Sequence, residues 1–433
     1  MIQTIKKAWA VPELRKKIIF TITILLIFRL GSAIPVPYVN TELLQAYYQS
    51  SMSNTVLGLY NVMSGGAFAQ ATIFALGVQP YINSSIIIQL LTIAIPALER
   101  LARDGGEAGK KKIASITRYA TVAIALLQGL GYYFLLKNGF NGQALLNQSG
   151  FLPAVVIIVS FMAGSAFVMW LGEQVNEFGV GNGISIILFA GILSRVPTIV
   201  GQGRAYVMQN GGLGWLYMGL LVVGILLMIV LIVHVSAAER RIPVQYAKRQ
   251  VGRKMYGGQA STLPMKVNMS GVLPIIFAQS IAMLPATIAA FLPQPADGSF
   301  GKAVLNAIDT KSVLYLIIYF LMIIGFSYFY ATIQFNPIEI SNNLKRQGGF
   351  IPGFRPGKPT SDFIAKVLAK VTLFGAIYLG IVAIAPLIVG KALGNQALAI
   401  GGTSVIIVVG VALETVQALE NQMLMRQYKG FLE

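Results

Sequence analysis

The sequence predicts an all-α polytopic membrane protein, with about ten transmembrane helices in two inverted five-helix halves around a central pore. Three observations predict it: long apolar runs, basic residues gathered in alternate gaps between those runs, and two short motifs that each occur twice in the same order. The apolar runs are 18–36, 73–95, 116–136, 153–172, 184–200, 215–235, 271–292, 313–334, 371–390 and 402–419. Each is near the ~20 residues a helix needs to cross a bilayer. The chain of 433 residues is 55% hydrophobic and only 11% charged, yet its formal net charge is +18. Lys and Arg concentrate at Lys6 to Lys17, Arg100 to Arg118, Arg240 to Lys266, Lys345 to Lys370, and in the tail with Arg426 and Lys429. Arg204, Lys302, Lys311 and Lys391 are scattered through the other gaps. Positive residues collect on the cytoplasmic side of spanning helices, so both termini are expected there.

The turn with Glu173 and Glu177 is cytoplasmic by parity but carries no Lys or Arg. Acidic residues weigh little in the charge rule, so the topology stands. The first run has basic flanks, lacks a small-residue cleavage site and continues into Ile34-Pro35-Val36-Pro37, which reads as a retained span. With no cysteine, disulfides and thiolate metal sites are excluded.

Gly77-Val78-Gln79-Pro80-Tyr81-Ile82 in the second run reappears as Gly271-Val272-Leu273-Pro274-Ile275-Ile276 in the seventh. Gly183-Ile184-Ser185-Ile186-Ile187-Leu188, with Gly191, resembles Gly402-Thr403-Ser404-Val405-Ile406-Ile407, with Gly410. These matches divide the chain into halves at 1–205 and 206–433, each of five spans. Five is odd, so the second half enters from the opposite side, and the halves form an inverted repeat whose working site is expected at their interface. Val78 and Ile82 share one helix face, as do Ile184 and Leu188, and Ile276 and Ile407 are among their counterparts. Two readings fit these residues: a hydrophobic constriction built from both halves, or ordinary packing.

The second and seventh spans are unusually polar, with Gln79, Asn83 and Gln89 in one and Gln279 and Ser280 in the other. Gln128 in the third span is similar. Such groups face protein or a water-filled cavity, or hold helices together by hydrogen bonds. Pro80, Pro274 and Pro285 remove backbone donors and invite kinks. The uncharged segment 56–72, broken at Asn61, Ser64, Gly65 and Gly66, suits either a re-entrant, plug-like element or an external loop. Arg29 is expected to reach the outer interface, and Glu414 to snorkel toward the cytoplasmic one.

Two long connectors, about 237–270 and 335–370, carry basic clusters. Lys248, Arg249, Arg253 and Lys254 lie in the first, and a Gly/Pro-rich tip presents Phe354 and Arg355 in the second. Such a surface suits anionic lipid, ribosomal RNA or an acidic protein face. Catalysis finds little support. The only histidine, His234, ends an apolar span, and no P-loop, HExxH pattern or nucleophile elbow occurs. No enzyme activity, cofactor or metal site is expected. A secondary transporter shares the expectation of inverted repeats and broken helices; a membrane-surface scaffold that recruits ribosomes would share only the basic loops.

Several stretches together carry a family resemblance: Val244-Gln245-Tyr246-Ala247-Lys248-Arg249-Gln250, Leu263-Pro264-Met265-Lys266-Val267-Asn268, Phe74-Ala75-Leu76-Gly77 with Pro80-Tyr81-Ile82, and Phe350-Ile351-Pro352-Gly353-Phe354-Arg355-Pro356-Gly357. Through them almost the whole chain resembles the SecY family, the central subunits of bacterial protein-conducting channels. The resemblance implies a pore ring of Val78, Ile82, Ile184, Leu188, Ile276 and Ile407, departing from an all-isoleucine ring at 78 and 188. It implies a plug around Ser64, Gly65 and Gly66, and a lateral gate between spans two and three and spans seven and eight, with Ile86, Gln89, Gln128, Gln279 and Ser280. It also implies docking of the SecA motor or the ribosome at the basic loops and Arg355. SecE and SecG are then the expected companion subunits, signal peptides, nascent chains and lipids the other partners, and the bacterial cytoplasmic membrane the location.

Overall fold

The protein is described from a computed structural model that covers residues 2–52, 56–103, 105–139, 145–246, 249–251, 254–256, 260–269, 271–291, 312–392 and 396–429. Its first half comprises α1 (Ile2–Ala10), α2 (Pro12–Gly31), α3 (Thr41–Tyr47), α4 (Val56–Met63), α5 (Gln79–Ala94), α6 (Pro96–Arg103), α7 (Gly106–Asn138), α8 (Phe151–Phe178) and α9 (Gly183–Leu193). Then follow α10 (Val196–Ala237), β1 (Glu239–Tyr246), β2 (Arg249–Val251), β3 (Lys254–Tyr256), β4 (Ala260–Lys266) and α11 (Leu273–Phe291). The chain closes with α12 (Val313–Gln334), α13 (Pro337–Arg346), β5 (Gly349–Phe350), α14 (Lys358–Ala392) and α15 (Gln396–Lys429).

Every apolar run of the sequence carries a helix, and the molecule is a multi-pass membrane protein. Among the described residues, seven helices are long and apolar enough to cross a bilayer, or eight if α5 and α6 count as one span bent by 105°. The bend falls at Ile95–Pro96, where proline removes a donor and forces the preceding residue out of the helical region. The runs at 18–36 and 271–292 lie on α2, which carries five charged residues, and on α11, which is shorter. Pro80 and Pro274 do not kink their helices, contrary to expectation. Both sit in the first turn, where the missing N–H is an orphan in any case, and they open α5 and α11. Residues 73–78 are accordingly a turn rather than part of a helix.

Side-chain caps fix other helix starts. Asn182 Oδ1 accepts from the N–H groups of Ile184 and Ser185 at 3.1 and 3.3 Å, and Ser312 Oγ accepts from Leu314 at 3.2 Å. On α2 one stripe, Leu14, Thr21, Ile24 and Phe28, is buried while Ile19, Ile22, Leu26, Ile27 and Leu30 face outward, as expected of a helix in lipid. The acidic turn that lacked a basic neighbour in sequence has one in space, since Arg118 Nε donates to Glu173 Oε1 at 2.8 Å.

The basic connectors are not plain loops. β1 pairs antiparallel with β4 (Ile242 opposite Leu263) and with β5 (Gln245 opposite Phe350), so one three-stranded sheet ties both connectors together. Ile242, Val244 and Met265 from the sheet pack with Leu344, Ile351, Ile364 and Leu368 in a separate apolar core beneath it. The second connector also contains α13, and α14 begins at Lys358.

Candidate functional site

Four helices converge at the centre. Val78 precedes α5 and Ile82 lies on it; Ile184 and Leu188 lie on α9, Ile276 on α11 and Ile407 on α15. All six side chains are at most 9% exposed and belong to one contiguous apolar cluster. The structure therefore brings together, from both halves, the residues that the repeats singled out.

The segment 56–72 is buried against this cluster, so the external-loop reading fails. Leu57, Tyr60, Val62, Met63, Phe68 and Ala69 are members of the cluster, and α4 touches α9, α11 and α15. Its irregular backbone satisfies itself, as buried backbone must. Asn61 Oδ1 accepts from the Ala69 N–H at 2.8 Å, and Ser64 Oγ accepts from the Phe68 N–H at 3.1 Å. At Gly65 the chain turns with φ 69° and lies against Gly191 of α9, where a side chain on either residue would meet backbone. The segment is held from three other helices. Tyr132 of α7 donates its hydroxyl to the Phe68 carbonyl at 2.5 Å and stacks on the Phe68 ring at 4.5 Å. Gln79 Nε2 of α5 donates to Met63 Sδ at 3.0 Å. Arg29 Nη1 of α2 donates to the Gly65 carbonyl at 3.1 Å from a side chain that is otherwise exposed. Arg29, Met63 and Tyr132 carry no spacing signal that would have paired them with the segment.

Between α5 and α7 on one side and α11 and α12 on the other runs a polar seam. Ser280 Oγ donates to Gln79 Oε1 at 3.4 Å, and the Tyr330 hydroxyl of α12 donates to Gln89 Oε1. The Tyr330 ring packs on Phe277 at 5.3 Å. Gln128 does not reach across the seam; its Oε1 accepts from Tyr60 at 3.2 Å. Ile86 is buried in the central cluster. The amide oxygens of Asn83 and Gln279 are buried without a hydrogen-bond partner among the described residues.

On the sheet side, Lys248 and Arg253 lie outside the described residues, and Arg249 and Lys254 are described by backbone alone, on the paired strands β2 and β3. Phe354 stacks on Phe363 of α14 at 4.1 Å, while the carbonyls of Arg355 and Gly357 accept from Thr360 and Ser341 at 2.8 Å each. The tip is thus pinned from behind, with the Arg355 side chain exposed. Among the described residues no three His, Asp or Glu side chains gather within reach of a metal ion.

Comparison with known proteins agrees with this geometry. The chain is 42% identical over 442 residues to the protein translocase subunit SecY of Streptomyces scabiei, covering all of both chains. It is 41% identical over 436 residues to that of Staphylococcus aureus, covering 100% of this chain and 99% of the other. Among solved structures, a protein-conducting channel superposes with a TM-score of 0.66 at 15% identity over 97% of both chains. A SecY whose plug domain is described as stabilising the closed channel gives 0.68 at 16%, also over 97% of both. These two likenesses show the fold. The SecY family model matches residues 72–416, and on that match and the full-length relatives the chain belongs to the SecY family.

Proposed function

We propose that this chain is the protein-conducting channel of the general secretion pathway. It passes signal-bearing, unfolded polypeptides across the bacterial cytoplasmic membrane and releases transmembrane segments to lipid through a lateral gate. The observation that carries this reading is the convergence of six bulky aliphatic side chains from four helices, with a buried, uncharged segment packed against them. Such a constriction seals by dewetting and closes around whatever passes; the segment 56–72 is its plug. A secondary transporter needs charges or unwound carbonyls at this place, where this chain has aliphatic side chains.

The polar seam is the lateral gate. Its two bridging hydrogen bonds are worth about 0.5–1.5 kcal/mol each, and each buried amide oxygen left without a partner costs about 1–3 kcal/mol. Together the bonds give about 1–3 kcal/mol against about 2–6 kcal/mol for the two orphaned oxygens, so the polar groups do not hold the seam shut by themselves. A signal helix that buries apolar surface at about 25 cal/mol per Å² then tips it, to the extent that it binds the open seam better than the closed one. SecE clamps the two halves, SecG joins them, both termini face the cytoplasm, and the sheet with its pinned Arg355 tip is where the SecA motor or the ribosome docks. Arg355→Glu is expected to lower driven transport by about tenfold or more through charge reversal at the contact, with assembly intact; normal transport by that variant removes the docking role.

The decisive test reconstitutes the chain with SecE in vesicles and adds SecA, ATP and a signal-bearing preprotein. Protection of the preprotein from external protease, dependent on ATP and on the signal, is the expected result. No protection from a verified assembly with an active motor would overturn the reading.

A further inference from the structure

The start of α11 is held by a helix far away in sequence. Val272 is the residue that caps α11: its carbonyl accepts from the N–H groups of Ile275 and Ile276 at 3.1 and 3.2 Å. Its own N–H donates to Glu414 Oε1 of α15 at 3.0 Å, across 142 positions of sequence. In a capping box a glutamate within the helix reaches back to the cap's N–H; here another helix supplies the carboxylate, at the end of α11 where negative charge is favoured. One helical turn further along α15, Gln417 Oε1 accepts from Lys266 Nζ, the last residue of β4, at 2.8 Å. Lys266 also acts electrostatically on Glu414. Ile407, Gly410, Glu414 and Gln417 form one stripe of α15, spaced three, four and three residues apart. Gly410 lets α15 approach so closely that a methyl group there would overlap the Val272 side chain.

This stripe grips the chain at the point where the cytoplasmic sheet passes into α11. The expected role of Glu414, snorkelling to the interface, is therefore replaced by a specific bond to backbone. We infer that Glu414 and Gln417 are positioning residues for gating: they clamp the junction between β4 and α11, and so hold the gate helix in its closed position until a force on the sheet or an entering signal helix releases it. The inference rests on the channel reading proposed above, because it assigns α11 to the gate.

The test uses Glu414→Ala, Glu414→Gln and Gln417→Ala, each in the full chain assembled with SecE in lipid nanodiscs or vesicles. Amide hydrogen exchange across residues 267–276 reads the clamp directly. Glu414→Ala is expected to exchange about tenfold faster or more there, because the N–H loses its only anchor to α15, and Gln417→Ala to show a smaller rise. Glu414→Gln keeps an oxygen acceptor in place and is expected to stay within about threefold of the parent. The second readout is protease protection of a preprotein whose signal has been weakened. Glu414→Ala is expected to admit it about tenfold better than the parent, with the normal preprotein little changed, and Glu414→Gln to restore selectivity.

Unchanged exchange in Glu414→Ala would refute the clamp. Faster exchange with unaltered signal selectivity would reduce it to packing and refute the gating role, as would Glu414→Gln behaving like Glu414→Ala in both assays. If the parent channel itself moves no preprotein, the channel reading fails, while the exchange experiment still decides whether the clamp exists.

Discussion

Helices α5 and α11 begin with the same turn. Gly77 (φ 54°) precedes Val78, Gly271 (φ 62°) precedes Val272, and Pro80 and Pro274 lie in the first helical turn. Gly191 of α9 and Gly410 of α15 hold matching places in the second repeated motif, yet the two glycines receive different neighbours. Gly191 of α9 makes room for the Met63 carbonyl and Gly65, whereas Gly410 of α15 makes room for Val272 at the start of α11. On the proposed reading, the chain before α5 carries the plug and the chain before α11 carries the docking sheet. On that reading one frame, used twice, seals at one place and opens at the other. The lesson is that the asymmetry of function lies in what each half inserts before its second helix rather than in the frame itself.

The largest expected effect tests the part both halves share. Ile82 and Ile276 occupy matching positions in the repeated motif and are both buried in the central cluster. Ile82→Gly with Ile276→Gly is expected to raise the resting ion conductance in planar bilayers about tenfold or more, because a constriction stripped of bulk no longer stays dewetted. Each single substitution should leak less than the pair. If one of them alone produced the whole leak, the seal would belong to one half, and the shared frame would not extend to the ring.

A smaller, more discriminating effect separates the two glycine contacts. At Gly65 an added methyl meets positive φ and the Gly191 backbone at 3.0 Å, a strain of about 1–3 kcal/mol that displaces the plug. Gly410→Ala instead overpacks against Val272 at about 1–3 kcal/mol and disturbs the start of the gate helix. Gly65→Ala should raise resting conductance while leaving the signal requirement in place. Gly410→Ala should relax the signal requirement while leaving conductance near the parent's. The same phenotype from both would erase the division of labour.

The frame was legible in the sequence because apolar runs, basic gaps and repeated glycine–proline motifs are signals of one chain segment at a time. The repeat put Ile82, Ile184, Ile276 and Ile407 in matching places but left a constriction and ordinary packing both open; the ring came from the family resemblance. What stayed hidden depends on pairs. Arg29 and Glu414 look like charges bound for an interface, yet they bond to backbone at Gly65 and Val272, 36 and 142 positions away. No pattern in α12 distinguishes Tyr330 from its aromatic neighbours Phe326, Tyr328 and Phe329. The sheet had a weak signal, the alternation Arg241-Ile242-Pro243-Val244-Gln245 with Ile242 and Val244 buried. Its basic residues and its proline made the stretch read as a connector rather than a strand.

The smallest effect concerns the seam itself, where the two halves meet. Tyr330→Phe removes the hydroxyl that donates to Gln89 while keeping the ring that packs on Phe277. A net loss of about 1 kcal/mol from the closed seam is expected, which is roughly fivefold in the ease of opening. The measurement is protease protection of a preprotein with a weakened signal, where a difference of that size is visible; with a strong signal, opening is already favourable and little should change. Gln89→Leu breaks the same bond from the other side. Because Leu and Phe together leave no buried acceptor waiting for a donor, the double variant should cost less than the sum of the singles, and the cycle should return a coupling of about 0.5 kcal/mol or more. A coupling near zero would mean that Tyr330 and Gln89 act independently, so that of these two bonds the one from Ser280 to Gln79 would be left to hold the seam.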